Sequence, residues 1–163
     1  MAINVNTKEL KTLLESTPPG HNISIGHKTA EQIKFSVGSV LTELPPDEEP
    51  EDFIVNGKNL VTAHPTTAAI SYKEIAICID KTISKIEGEI INVLQKTTPE
   101  LYSNIVKNGI WLAGGGSLLR GIARRFTDRV NIEFHVAEDP LKAVARGTCL
   151  SLKDTDTYPF LER

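Results

Sequence analysis

The sequence predicts an α/β protein: a layered C-terminal half preceded by a smaller α+β unit. Three patterns carry this. After Pro99 the chain alternates helix, strand, helix, strand, helix in its apolar periodicity. Before that, Ile75, Ile79, Ile83, Ile86, Ile90 and Val93 form one continuous apolar stripe on a long helix. Earlier still, short extended runs surround an Asn-Gly dipeptide, the mark of a small antiparallel sheet.

Taken in order, Thr7–Glu15 reads as a short helix with Leu10, Leu13 and Leu14 on one side, stopped by Pro18-Pro19-Gly20. Asn22–Ile25 alternates as a short strand. Thr29–Leu41 reads as a helix, since Ala30, Ile33, Val37 and Val40 recur at helical spacing. Leu44–Asp52 holds three prolines and five acids and is an exposed loop. Phe53–Val55 and Leu60–Val61 flank Asn56-Gly57 as a hairpin, and Thr66–Ile70 completes the sheet.

Ser71-Tyr72-Lys73-Glu74 is a capping box that opens the long helix, which runs to about Gln95. Gly88 interrupts it at a cost of about 1 kcal/mol. Thr98-Pro99 starts the next helix and Asn108-Gly109 ends it. Ile110–Ala113 reads as a buried strand, Ser117–Phe126 as a helix, and Val130–Val136 as an alternating strand. Asp139-Pro140 caps a last helix reaching about Leu152, and 154–163 reads as a frayed tail. The expected organisation is a helix and linker over 1–21, an α+β unit over 22–88, an α/β unit over 89–153, and the tail.

Composition sets limits. The chain has 163 residues, 40% hydrophobic and 24% charged, with a formal net charge of −3. That suits one or two small units with a real core and gives no reason to expect a nucleic-acid partner. Met1–Asn6 lacks the basic-then-apolar pattern of a signal peptide, and no apolar run approaches a membrane span, so a cytoplasmic protein is expected. Cys78 and Cys149 lie far apart in helical patterns and read as buried reduced thiols. His21, His27, His64 and His135 form no metal-ligand pattern, and the Glu138-Asp139 pair reads as helix capping. Arg120, Arg124, Arg125 and Arg129 read as a solvated basic face, with a phosphate or acidic-partner site as the less favoured alternative.

The segment Leu112–Gly121 carries the functional signal. An apolar run enters Gly114-Gly115-Gly116 and a helix-like pattern follows at Ser117. Glycines there let a ligand meet backbone without a Cβ in the way. A dinucleotide fingerprint would need glycine where Leu119 stands, and a P-loop would need Lys and Ser/Thr where Ile122 and Ala123 stand. From the glycines alone, a plain strand-to-helix connection is the better explanation of the segment. Glu31 and Lys34, three apart on one helix face, read alone as a surface ion pair.

Several segments in order resemble the MreB family of bacterial actin homologues. Gly114-Gly115-Gly116-Ser117-Leu118-Leu119-Arg120-Gly121 resembles that family's adenosine motif. Ala137-Glu138-Asp139-Pro140-Leu141, followed by Val144-Ala145-Arg146-Gly147, resembles its last strand-to-helix junction. Ile25–Lys34 resembles its second adenosine-contacting helix, and Thr97–Leu101 matches a family loop. The similarity runs from about Ile23 to Leu152.

The resemblance implies a partial actin-like ATPase fold: the small α+β subdomain plus the C-terminal part of the second large α/β subdomain. It implies ATP or ADP as ligand, held through its adenosine part only. Glu31 and Lys34 would face ribose and adenine, Gly114, Gly115, Gly116 and Ser117 would pass beside the adenosine, and Leu118 would pack on the adenine face. Two positions depart from the family. His27-Lys28 stands where an acid then Arg or Ala is usual, and Ala113 replaces a common Thr or Ser, removing one hydroxyl. The two phosphate loops of the family, each an acid-and-glycine hairpin, do not appear in the sequence. The expectation is therefore a C-terminal portion with no self-sufficient ATPase site, magnesium entering only in a complete family member. The implied role is in a filament of the cell-shape cytoskeleton. The implied partners are further copies of itself, the missing N-terminal half and cell-shape membrane proteins, through which it would reach the membrane. Two alternatives stay open: a piece of another actin, Hsp70 or sugar-kinase superfamily member, and a nucleotide-free interaction module of the same fold.

Overall fold

The computed structural model describes residues 21–153. The helix expected at Thr7–Glu15 and the tail at 154–163 lie outside the described residues.

The first layer is an antiparallel sheet in the order β1 (Ile23–Ser24), β2 (Phe53–Asn59), β3 (Pro65–Ile70). Ile23 pairs with Asn59, and Phe53 with Ile70. Helix α1 (His27–Val37) lies between β1 and β2 in sequence and covers the sheet. Ile23, Ala30, Ile33, Val37, Val55 and Ile70 share one core with Ile75, from the first turns of α2 (Tyr72–Lys96). Each fully buried aliphatic side chain of this kind contributes about 1.5–3 kcal/mol.

The hairpin turn is not where the Asn-Gly signal puts it. Asn56 and Gly57 lie inside β2, opposite Thr67 and Thr66. The chain reverses at 60–64 instead, where the Asn59 side chain accepts from the amides of Val61 (2.8 Å) and Thr62 (2.9 Å). Ala63 takes φ 60 there. Gly57 is needed for a different reason: a Cβ would sit 2.6 Å from both Ile23 Cγ1 and the Ser24 carbonyl. Close approach of β1, not turn geometry, selects the glycine.

Helix α2 opens with the expected capping box. Ser71 N donates to Glu74 Oε2 (2.8 Å) and Glu74 N to Ser71 Oγ (3.4 Å). Ile79, Ile83 and Ile86 then build a second core with Val40, Leu119, Ile122, Phe126 and Phe134. Burial of the stripe ends there: Ile90 is half-buried and Val93 exposed.

The C-terminal piece contains α3 (Pro99–Asn108), β4 (Ile110–Leu112), a 3-10 turn (Gly115–Leu118), α4 (Ile122–Val130), β5 (Phe134–Val136) and α5 (Ala143–Lys153). Strands β4 and β5 are parallel, with Ile110 opposite Phe134. Four expectations shift here. The helix at Ser117–Phe126 is split, because Arg120 leaves helical geometry to bridge Ser39 and Gly121 takes φ 77. The strand at Val130–Val136 shortens, because Val130 still belongs to α4 and Asn131 caps that helix at φ 57. The last helix starts at Ala143, with Asp139 and Pro140 in a preceding turn closed by Lys142 N to Asp139 O (3.1 Å). Strand β4 is not buried on both faces, since Trp111 is 66% exposed. Of the thiols, Cys78 is half-buried and Cys149 exposed, so the expectation of two buried cysteines fails.

Candidate functional site

The site grows from the meeting of α1 with the segment after β4. Helix α1 ends earlier than its apolar spacing predicts, at Val37, because Gly38–Val40 turns outward to pair with another segment. Arg120 N donates to Gly38 O (3.2 Å) and Val40 N to Arg120 O (3.0 Å), a parallel bridge of Ser39 with Arg120. Ser39 is fully buried, and its hydroxyl donates to Leu41 O (2.8 Å). Arg120 also donates from Nη1 to Ser36 O (2.9 Å), satisfying a carbonyl at the C-terminal end of α1 where a cation is favoured. So Arg120 is committed to α1 rather than free on a solvated face.

The bridge ties the exit of the glycine turn to the end of the helix that carries Glu31 and Lys34. Glu31 is exposed; Lys34 is half-buried, its Nζ 5.8 Å from the Phe35 ring centroid. Within the turn, Gly114 takes φ 88 and its amide donates to Pro140 O (2.7 Å). Ser117 is buried, and its hydroxyl donates to Gly114 O (2.7 Å), closing the turn on itself. Gly114 and Gly116 are half-buried, Gly115 is exposed, and Leu118 is 51% exposed.

Why glycine stands at 115 is informative. Its φ lies outside the left-handed region, and a Cβ there would make only ordinary contact, 3.5 Å from Leu141. Gly121 contrasts with it: φ 77, with Leu41 Cδ1 2.6 Å from any Cβ. The fold therefore requires glycine at 121 and does not require it at 115. A bare backbone beside the exposed Leu118 suits a flat apolar ring that stacks on the side chain and lies close to the main chain.

A cavity of about 250 Å³ opens against the turn's exit, lined by Ser117, Leu119, Gly121, Arg124 and Val136 among others. A larger one, about 530 Å³, lies elsewhere, between α2 and α4, where Asp80, Glu87 and Asp128 face Arg125 and Arg129. Sequence reasoning missed this cluster by treating Arg125 as solvated. Asp80, Ser84 and Glu87, spaced four and three apart on α2, were the available signal. Burial disfavours the charge on Arg125, but hydrogen bonds to Glu87 and Asp80 outweigh it and hold the guanidinium above the ordinary arginine range. Among the described residues, no group of three His, Cys, Asp or Glu side chains is placed to hold a metal ion. No helix among them is long and apolar enough to cross a membrane.

Comparison with known proteins places the chain. The family model for MreB/Mbl protein matches residues 6–159. Cell shape-determining protein Mbl of Bacillus subtilis is 32% identical over 139 residues, covering 85% of this chain and 40% of that protein. Cell shape-determining protein MreB of Escherichia coli K12 is 35% identical over 134 residues, covering 82% and 38%. The crystal structure of MreB5 of Spiroplasma citri bound to AMPPNP superposes with a TM-score of 0.83 at 32% identity, covering 96% of this chain and 45% of that one. Its ADP-bound form gives 0.84 at 31% identity, covering 99% and 47%. A MamK double helical filament shares the fold at 20% identity, with a TM-score of 0.66, covering 86% of this chain and 41% of that one. The chain spans about 40% of the length of the curated relatives it matches, and its architecture is part of an actin-like fold. By sequence and by structure, the chain belongs to the MreB/Mbl family.

Proposed function

We propose that this chain is the C-terminal portion of an MreB-like filament protein of cell-shape determination, and that it carries the adenosine half of an ATP or ADP site. In this reading the small subdomain, 22–88, supplies Glu31 and Lys34 from α1. The larger piece, 89–153, supplies Gly114, Gly115, Gly116, Ser117 and Leu118. Glu31 accepts from ribose hydroxyls, Lys34 lies along the base, and Leu118 stacks on it. The observation that carries the reading is the Ser39–Arg120 bridge, which holds the two segments to each other at Val40 N to Arg120 O (3.0 Å). The absence of any structural need for glycine at 115 supports it, as do the AMPPNP and ADP bound by the MreB5 relatives.

Phosphoryl transfer needs magnesium, charge neutralisation and a positioned water. An adenosine half-site provides none of these, and binding without transition-state contacts gives no acceleration. The chain by itself therefore binds weakly and does not hydrolyse. Self-association, pairing with an N-terminal half, cytoplasmic placement and contact with cell-shape membrane proteins complete the reading.

The test is calorimetric titration of ADP into the chain and into Glu31→Ala. Weak binding is expected, reduced by about 1–3 kcal/mol in the variant through loss of a charged hydrogen bond. Equal affinity in the two proteins removes Glu31 from the site. Steady phosphate release from ATP contradicts the half-site reading.

A further inference from the structure

Arg125 makes an unusual set of contacts for a residue on a short helix between two strands. Its Nε donates to Glu87 Oε1 (2.6 Å) and its Nη2 meets Asp80 Oδ1 (2.8 Å) and Ser84 Oγ (3.2 Å), all on α2. Its Nη1 donates to Val40 O (2.9 Å), in the segment that leaves α1. The side chain is 16% exposed, and the Glu87 side chain only 8%. One planar guanidinium thus joins three elements, which a lysine's single nitrogen does not reproduce.

The Val40 contact matters most. The amide of Val40 already donates to Arg120 O, so both main-chain polar groups of this one residue are held by α4 and its approach. Arg125 therefore holds the segment 38–41 through its side chain while Arg120 holds it through its backbone. That segment is the chain's exit from the C-terminal end of α1. We propose that Arg125 is a positioning residue for the adenosine site: its fork, anchored on Asp80 and Glu87, sets the distance between α1 and the glycine turn. This rests on the adenosine reading above. It adds that the separation is held from behind, by an ion-paired cluster that touches no nucleotide.

Replacing Arg125 alone would leave the buried Glu87 carboxylate with only the long contact to Arg129 Nε (3.9 Å), so unfolding would obscure the result. The informative pair is the double variant Arg125→Leu with Glu87→Leu, which removes both charges together, and Glu87→Gln, which keeps the arginine and its bond to Val40. Each is made in the 163-residue chain and titrated with ADP, followed by backbone amide shifts. In the wild type, shifts are expected both at 31–34 and at 114–118. In the double variant, shifts at 114–118 persist and those at 31–34 are lost, with affinity reduced about fivefold and the melting transition retained. Glu87→Gln behaves as wild type. A double variant that keeps both sets of shifts and full affinity overturns the positioning role. So does a Glu87→Gln protein that loses the 31–34 shifts as fully as the double variant, because the effect would then lie in α2. If the wild type shows no shift in either segment, the adenosine reading fails first and takes the positioning role with it.

Discussion

The two sheets of this molecule are finished to different degrees. In the antiparallel sheet, Ile23, Val55 and Ile70 are sealed beneath α1 and the start of α2. In the parallel pair, β5 buries Phe134 against Phe126 at a ring separation of 5.5 Å, but β4 leaves Trp111 exposed beside His135. Helices α3 and α5 bury no residue at all, and Leu101, Val106, Leu150 and Leu152 face outward. The first region closes its own core. The second buries one face of α4 and β5 and presents the remainder, as a piece of a larger layer does. A chain that spans about 40% of its relatives would be stable where its contacts are internal and adhesive where they are not.

The sharpest way to break this contrast is to put the same kind of charge into both regions. Ile83 has no exposed surface. Ile83→Asp is expected to cost several kcal/mol and abolish the cooperative melting transition seen by circular dichroism. Trp111→Asp should change stability by less than about 0.5 kcal/mol. Comparable losses at the two positions would mean that the parallel pair is a core in its own right.

Next in size is the pair of glycines. Gly121→Ala meets a left-handed φ of 77 and the Leu41 side chain at 2.6 Å, and should cost about 1–3 kcal/mol in chemical denaturation. Gly115→Ala should be nearly neutral in the same measurement. Association comes third. The exposed faces of β4, α3 and α5 should drive concentration-dependent dimers or larger species, and Trp111→Ser should reduce them in light scattering. A strict monomer at high concentration for the unaltered chain would contradict the picture of an unfinished layer.

The smallest effect concerns pH and belongs to the closed region. The Tyr72 hydroxyl donates to Glu49 (2.5 Å), and that bond, with burial, raises its pKa above the ordinary 10.0. A group whose folded pKa is raised contributes fully below its unfolded pKa and loses that contribution as pH rises through the folded value. The stability difference between the wild type and Tyr72→Phe should therefore hold constant below about pH 10 and shrink above it. A difference that stayed constant through alkaline pH would show that the phenol's proton does not matter.

The sequence was readable where the causes are local. Ser71 and Glu74 form their capping box because both partners lie within one turn. Pro99 and Gly109 bound α3 for the same reason, with Gly109 at φ 72. It misled where a distant segment decides. Gly57 looks like a turn until β1 is seen lying against it. The helix predicted from Ser117 breaks because Arg120 bonds to Gly38 and Val40, about eighty residues earlier. Arg125 looks solvated until α2 brings Asp80 and Glu87 alongside. The candidate site divides in the same way. Its glycines and the Glu31–Lys34 spacing are local and legible. The bridge that holds them together, and the cluster that braces it, are not.

The central claim is that Gly115 serves a ligand and not the fold. Gly115→Val tests it most directly when thermal melting and ADP titration are measured on the same preparation. A melting temperature close to wild type is expected, because a Cβ at 115 makes only ordinary contact, 3.5 Å from the exposed Leu141 side chain, together with loss of ADP binding by steric block. Unchanged ADP affinity, or a fall in stability that alone accounts for the lost binding, would contradict it.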